Sequence, residues 1–170
     1  GVPYPLFTYA ALIPWTFFSN ASSRSVYSLV AQMQVISKVY FPRMIIPISA
    51  VLSGLVDFLM SFIILIAMSI AFGYYPGPRL LFIPLFLAIA IANALAIGLW
   101  TASLTVKFRD FRVVIVNGVR MAMYLTPVAY SATLINENFS QWMWIYKLNP
   151  MYWVVEGFRW SVLGIGDSPE

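Results

Sequence analysis

The sequence predicts an all-α fold: a polytopic transmembrane helical bundle of about four spans, with short re-entrant helices at its outer face. Two long stretches carry most of this prediction, since Leu80–Val106 has no charged residue and Met44–Gly73 has only Asp57. A helix of roughly 20 apolar residues crosses a hydrocarbon layer of about 30 Å. The composition agrees, at 61% hydrophobic and 9% charged, against about 25% charged in soluble domains.

The first span is predicted over Tyr4–Phe18, extended by residues 19–21, because residues 1–23 carry no charge. A separate, weakly amphipathic helix is predicted over Ser22–Lys38, at or leaving the membrane surface, from its i, i+3, i+4, i+7 apolar pattern. The basic segment Lys38–Arg43 follows, and its proline at position 42 predicts a break before the next helix.

Three more spans are predicted over Ile45–Phe72, Leu80–Val106 and Val113–Tyr130. The turn-rich segment Gly73–Arg79 separates the first two of these. The third predicted span of the chain is rich in Ala and Gly at its centre, a composition that permits close helix contact in lipid.

Residues 131–164 form two apolar pieces, split at Asn149 and Pro150, and each is too short to span. Short helices that dip into the membrane and return fit this pattern. Glu156 and Arg159 are spaced i, i+3, which predicts a surface pair worth a few tenths of a kcal/mol.

The basic residues indicate the orientation, because cytoplasmic loops carry an excess of Lys and Arg. Both basic connections are therefore predicted to be cytoplasmic, and the aromatic carboxyl-terminal region to lie outside. The first connection holds Arg24, Lys38 and Arg43, the second holds Lys107, Arg109 and Arg112, and the turn between the middle spans holds Arg79. The net charge of +4 is no nucleic-acid signal, since these residues lie between apolar runs.

Asp57 and Arg120 are ionisable groups at predicted membrane depth, where each costs about 2.5–3.5 kcal/mol and calls for a partner. We expect an ion pair between spans two and four, with a substrate-binding role for either residue as the alternative. Asp110 is placed to cap the fourth helix, its carboxylate accepting from backbone N–H groups.

The residue types argue against catalysis. The chain has no Cys and no His, which removes thiol chemistry, most zinc sites and histidine acid–base catalysis. No carboxylate pair, nucleophile–base set or metal cluster is evident in the sequence. We therefore expect no enzyme, and no cofactor or metal held by this chain.

Six short motifs in one order resemble the permease subunit of type-2 ATP-binding-cassette exporters for polysaccharides and polyol phosphates, which include O-antigen, capsule and teichoic acid transporters. The resemblance covers nearly the whole chain. The motifs are Tyr4-Pro-Leu-Phe, Pro14-Trp-Thr-Phe-Phe-Ser19, Lys38-Val-Tyr-Phe-Pro-Arg43, Phe108-Arg-Asp110, Thr126-Pro-Val-Ala-Tyr130 and Asn149-Pro-Met-Tyr-Trp-Val-Val-Glu-Gly-Phe-Arg159.

This resemblance implies a single permease domain over 1–170, a fragment with spans two to five and the outer re-entrant pair of a six-span protein. It implies a homodimer in the bacterial inner membrane that exports a lipid-linked polysaccharide or polyol-phosphate polymer. The sequence has no phosphate loop, so ATP and Mg would be bound by a separate cytoplasmic ATPase subunit.

The resemblance also suggests roles for the basic segments. The coupling loop would dock on the ATPase through Lys38, Val39, Tyr40, Phe41, Pro42 and Arg43. Its alternative is a helix break whose basic residues hold anionic headgroups. The second cytoplasmic loop, Lys107, Arg109, Asp110 and Arg112, would contact the ATPase or anchor the fourth helix, and its alternative is a basic loop with one cap.

The aromatic residues have two readings. Tyr124, Tyr130 and Tyr152 are candidates to line a conduit, because aromatic rings stack on sugar faces. The alternative is an interfacial belt, which we favour, with re-entrant packing, for Trp142, Trp144, Trp153 and Trp160.

Three other functions stay open. A type-2 permease for a drug or small lipid would show a closed apolar pocket rather than a continuous conduit. An ATPase-independent secondary transporter or channel would need midplane ion sites, and only Asp57 offers anything similar. An intramembrane enzyme on lipid-linked sugars is disfavoured by the missing catalytic residue types.

Overall fold

The computed structural model describes residues 2–31, 45–75, 77–108, 110–124, 126, 128 and 143–164. These residues form helices and turns, with no β-strand among them. The helices are α1 (Tyr4–Ala31), α2 (Ile45–Ala71), α3 (Ile83–Lys107, preceded by a 3-10 turn over Pro78–Phe82), α4 (Phe111–Met121), α5 (Met143–Leu148) and α6 (Pro150–Leu163).

Helix α1 is the centre of the bundle and contacts α2, α3, α4 and α6. Its core side is fully or almost fully buried, for example at Leu6, Ala10 and Phe17. Helix α3 approaches it closely at Gly98, where an added Cβ would lie 2.7 Å from the Cβ of Ser25. The small residues predicted to bring α3 close to a neighbour do so at this point.

The contacts between helices also give their directions. Helix α2 is antiparallel to α1, since Phe58 packs on Phe17 with ring centroids 5.7 Å apart and Gly54 lies beside Phe17 and Ala21. A short turn then reverses the chain into α3. The ends of α1 and α3 and the starts of α2 and α4 therefore lie together, and we call this the basic end, because both basic connections belong to it.

Helix α1 runs unbroken across Ser22 to Ala31, which corrects the prediction of a span followed by a separate amphipathic helix from Ser22. The hydroxyls of Ser23 and Ser28 donate to the carbonyls of Ser19 and Ser25, so these serines satisfy their polar groups within the helix. Contacts with four other helices stabilise α1 along its whole length, despite the local signals that favour a break.

Helix α4 is shorter than the predicted fourth span. It has 11 residues and a length of about 17 Å, against about 30 Å of hydrocarbon. Among the described residues, two segments are long and apolar enough to cross a membrane by length and composition, Ile45–Ala71 and Pro78–Thr101.

Helices α5 and α6 confirm the two short carboxyl-terminal pieces and the break between them. Asn149 caps α6, its side-chain Oδ1 accepting from the backbone N–H of Met151 at 3.0 Å. Gly157 lets α6 reach α3, since an added Cβ would overlap the ring of Phe86. The helix ends at Gly164, whose φ of 68° favours glycine.

Candidate functional site

An ion pair joins the middle of α2 to α1. Arg24 Nη2 donates to Asp57 Oδ2 at 2.8 Å, and both side chains are exposed, by 44% and 63%. Asp57 lies twelve residues after the start of α2 and fourteen before its end. Two exposed charges therefore meet close to the centre of a helix long enough to span a membrane.

This pair corrects the predicted one between Asp57 and Arg120. Helix α1 packs between α2 and α4, and its Thr16 and Asn20 line a cavity on each side. Asp57 lines the cavity on the α2 side, whereas Arg120 lines a cavity of about 340 Å³ on the α4 side. The intervening helix supplies the nearer cation, Arg24.

The exposed side of α1 carries a polar stripe. Its members recur three or four residues apart, the spacing of one helix face. We call these residues the α1 polar face: Thr16, Asn20, Ser23, Arg24 and Tyr27. Asn20 lines all three cavities along this face, those of about 340, 390 and 30 Å³.

The described residues of the two predicted cytoplasmic loops lie at the basic end. Lys107 is the last residue of α3, and the guanidinium of Arg112 lies 5.8 Å from the ring centroid of Tyr27 on α1. The coupling residues Lys38, Val39, Tyr40, Phe41, Pro42 and Arg43, together with Arg109, lie outside the described residues.

Asp110 occupies the N-cap position of α4, as predicted, but its side chain makes no capping hydrogen bond. Its backbone carbonyl accepts from the N–H of Val113 at 3.2 Å instead. The backbone at Asp110 is already helical, whereas a capping side chain needs an extended residue to reach the next turn.

Glu156 and Arg159 form a buried pair, which corrects the predicted surface pair. Arg159 Nη1 donates to Glu156 Oε1 at 2.9 Å, and the two side chains are 1% and 11% exposed. Arg159 Nη2 donates to the carbonyl of Val128 at 2.6 Å, and its guanidinium lies 3.8 Å from the ring centroid of Phe7 on α1. The side of α6 that carries Glu156 and Arg159 is buried. Their i, i+3 spacing predicts the contact between them but not its burial.

Pro150 and Asn149 begin this buried helix, and Asn149 ties it to the preceding segment. Its Nδ2 donates to Thr126 Oγ1 at 2.9 Å. Together with the bond from Arg159 to Val128, this holds Thr126 and Val128 against α6. We call Glu156, Arg159, Phe7 and the Val128 carbonyl the Arg159 cluster.

The aromatic candidates divide by exposure. Tyr124 is 74% exposed beside Arg120, as a conduit residue would be. Tyr152 is 3% exposed and packs on Trp153, which corrects its assignment to an open conduit. Among the tryptophans, Trp144 is exposed and the indole N–H of Trp153 donates to the Lys147 carbonyl. Trp160 packs on Phe82 and Arg79. Tyr130 and Trp142 lie outside the described residues.

Comparison with known proteins identifies the family. The ABC-2 type transporter family profile matches residues 3–163. The chain is similar to O-antigen export system permease proteins RfbA of Klebsiella pneumoniae, at 31% and 28% identity over 157 residues, and of Myxococcus xanthus, at 25% over 156. Each alignment covers 92% of this chain but only 60% of the relative. The chain, with its apolar helices and a match along nearly its whole length, therefore belongs to the ABC-2 type transporter family of membrane proteins.

Proposed function

We propose that this chain is the transmembrane permease part of an ATP-driven exporter that moves a lipid-linked polysaccharide or polyol-phosphate polymer outward across the bacterial inner membrane. The observation that carries the proposal is the family match together with relatives named as O-antigen export permeases. The polar, partly open side of α1 supports a hydrophilic cargo over a drug or small lipid, for which a closed apolar pocket is expected.

The energy for transport would come from a separate cytoplasmic ATPase subunit that binds ATP and Mg, acting on a homodimer of the permease. Support comes from the basic end, where the helix ends that flank residues 32–44 and 108–110 lie together. One docking surface of an ATPase could contact both connections. Tyr40 and Phe41 are the expected anchors, because aromatic residues commonly dominate interface energies.

Co-purification of the ATPase with the full-length permease tests this proposal. The double variant Phe41→Ala/Arg43→Ala should lose the ATPase, because it removes an aromatic anchor and a charge. The matched control is Arg79→Ala/Phe82→Ala, which removes the same residue types at the other end of the bundle and should retain the ATPase. Undiminished co-purification of the first variant, at equal membrane expression, contradicts docking at this segment.

A further inference from the structure

The exposed pair Arg24–Asp57 lies near the middle of a helix that is long enough to span a membrane. A charged side chain at the centre of a bilayer costs about 2.5–3.5 kcal/mol even on the mildest scales. Such residues face the interior of a bundle or a water-filled cavity. The Asp57 side chain is 63% exposed near the middle of α2, so acyl chains are an unfavourable environment for it.

The Arg24 side chain extends away from the near end of α1, towards Asp57. Arg24 lies seven residues before the end of α1, a distance of about 10 Å. In lipid, an Arg this close to a helix end extends its charge towards the near interface. Here Gly54 lies opposite Ala21, so Asp57 is deeper than the level of Arg24, and the guanidinium points inward to reach it.

The surroundings of the pair are also polar. Asn20 lies one turn from Arg24 on the α1 polar face, and Ser61 lies one turn from Asp57 on α2. Cavities of about 390 and 30 Å³ adjoin the pair, and Asn20 lines both. Arg24 engages Asp57 through Oδ2, whereas a carboxylate has about four acceptor sites. Hydroxyl groups of a ligand can therefore bind beside the guanidinium.

We propose that Asn20, Arg24 and Asp57 form a water-exposed site at mid-depth in the membrane, where a hydroxyl-rich polymer contacts the permease during passage. The inference rests on the proposed export function. A carboxylate accepts from sugar hydroxyls, a guanidinium donates to them, and an amide does both. These are exchangeable contacts, which suit a chain that slides.

Cysteine labelling tests the water exposure. The chain has no native Cys, so single Cys residues can be placed in a full-length, cysteine-free permease assembled with its ATPase. A membrane-impermeant methanethiosulfonate reagent should modify Asn20→Cys and Ser61→Cys about tenfold faster than Ile63→Cys, because the reactive thiolate forms in water. Ile63 is the matched control: it is 62% exposed, two residues from Ser61, but on the other side of α2.

Two results overturn the exposed site. Equally slow labelling at all three positions places the α1 polar face against lipid or protein. A disulfide between Asn20→Cys residues of two copies, with no labelling, shows that a second copy covers it.

Export of the polymer tests the contact. The near-isosteric double variant Arg24→Gln/Asp57→Asn should lower the export rate about tenfold, the loss expected for charge-assisted hydrogen bonds. Asn93→Ala, which removes a half-buried amide from α3, should leave the rate unchanged. Unchanged export by the double variant overturns the contact. The labelling and the export rate are both measured on permease that has its ATPase bound. Failure to bind an ATPase therefore contradicts the proposed function and not this site.

Discussion

Two ion pairs among the described residues differ in burial and in what they hold. The pair Arg24–Asp57 joins two helices, and both of its side chains are exposed. The pair Glu156–Arg159 lies within one helix and is buried. The buried guanidinium also donates to the Val128 carbonyl and lies over the ring of Phe7. The buried pair therefore serves the structure, and the exposed pair is available for another role.

The largest effect is expected from Arg159→Ala. Removing one partner of a buried pair costs about 3–5 kcal/mol, because the other charge is left uncompensated. Thermal unfolding of the purified permease in detergent should show a large drop in midpoint. Glu156→Gln/Arg159→Met, which removes both charges, should be markedly more stable than Arg159→Ala; a midpoint for Arg159→Ala near that of the wild type would remove the contrast between the pairs.

Gly157→Ala tests the packing that buries the Arg159 cluster. An added Cβ at this position overlaps the Phe86 ring, so we expect a loss of about 1–3 kcal/mol from overpacking. Gly118→Ala is the matched control, since no atom lies within 4 Å of its added Cβ, and it should stabilise helix α4 by about 0.5–1 kcal/mol. Similar unfolding midpoints for the two variants would mean that α6 is loosely packed.

Asn149 separates two contributions at the start of α6. Asn149→Ala should cost about 1 kcal/mol through the lost N-cap, measured by the same unfolding assay. Asn149→Asp keeps the acceptor for Met151 but loses the donor to Thr126, and should recover most of the stability. If the Asp variant is as unstable as the Ala variant, the bond to Thr126 is the dominant one.

The smallest effect on stability is expected at the exposed pair. A double-mutant cycle with Arg24→Gln and Asp57→Asn should give a coupling energy below about 1 kcal/mol, the usual range for solvent-exposed pairs. The coupling should weaken further in high salt, because salt screens exposed charges. A coupling above about 3 kcal/mol would show that this pair is as desolvated as the buried one.

The sequence predicted the two most apolar helices almost to the residue, since Ile45–Ala71 was expected over Ile45–Phe72. Long uncharged runs leave few alternatives in composition or length. The continuity of α1 across Ser22 was not predicted, because it depends on contacts with four neighbouring helices. Local signals such as a proline or a run of serines describe the chain alone and not its packing.

The site was predicted in its residue types but not in its pairing. Asp57 was expected to need a partner in the membrane, and it has one. The partner depends on which helix lies beside α2, and no spacing along the chain reveals that α1 separates Asp57 from Arg120. The i, i+3 spacing of Glu156 and Arg159 likewise predicted the contact, but the burial of α6 comes from helices distant in sequence.

The unbroken course of α1 has a mechanical consequence. With 28 residues, it is a rod of about 42 Å. Phe7 in its first turn lies against the Arg159 guanidinium, and its other tip belongs to the basic end. A tilt of about 5° pivoting at one tip displaces the other by about 4 Å over this length. A small push at the basic end is therefore magnified at the opposite tip, without any hinge in between.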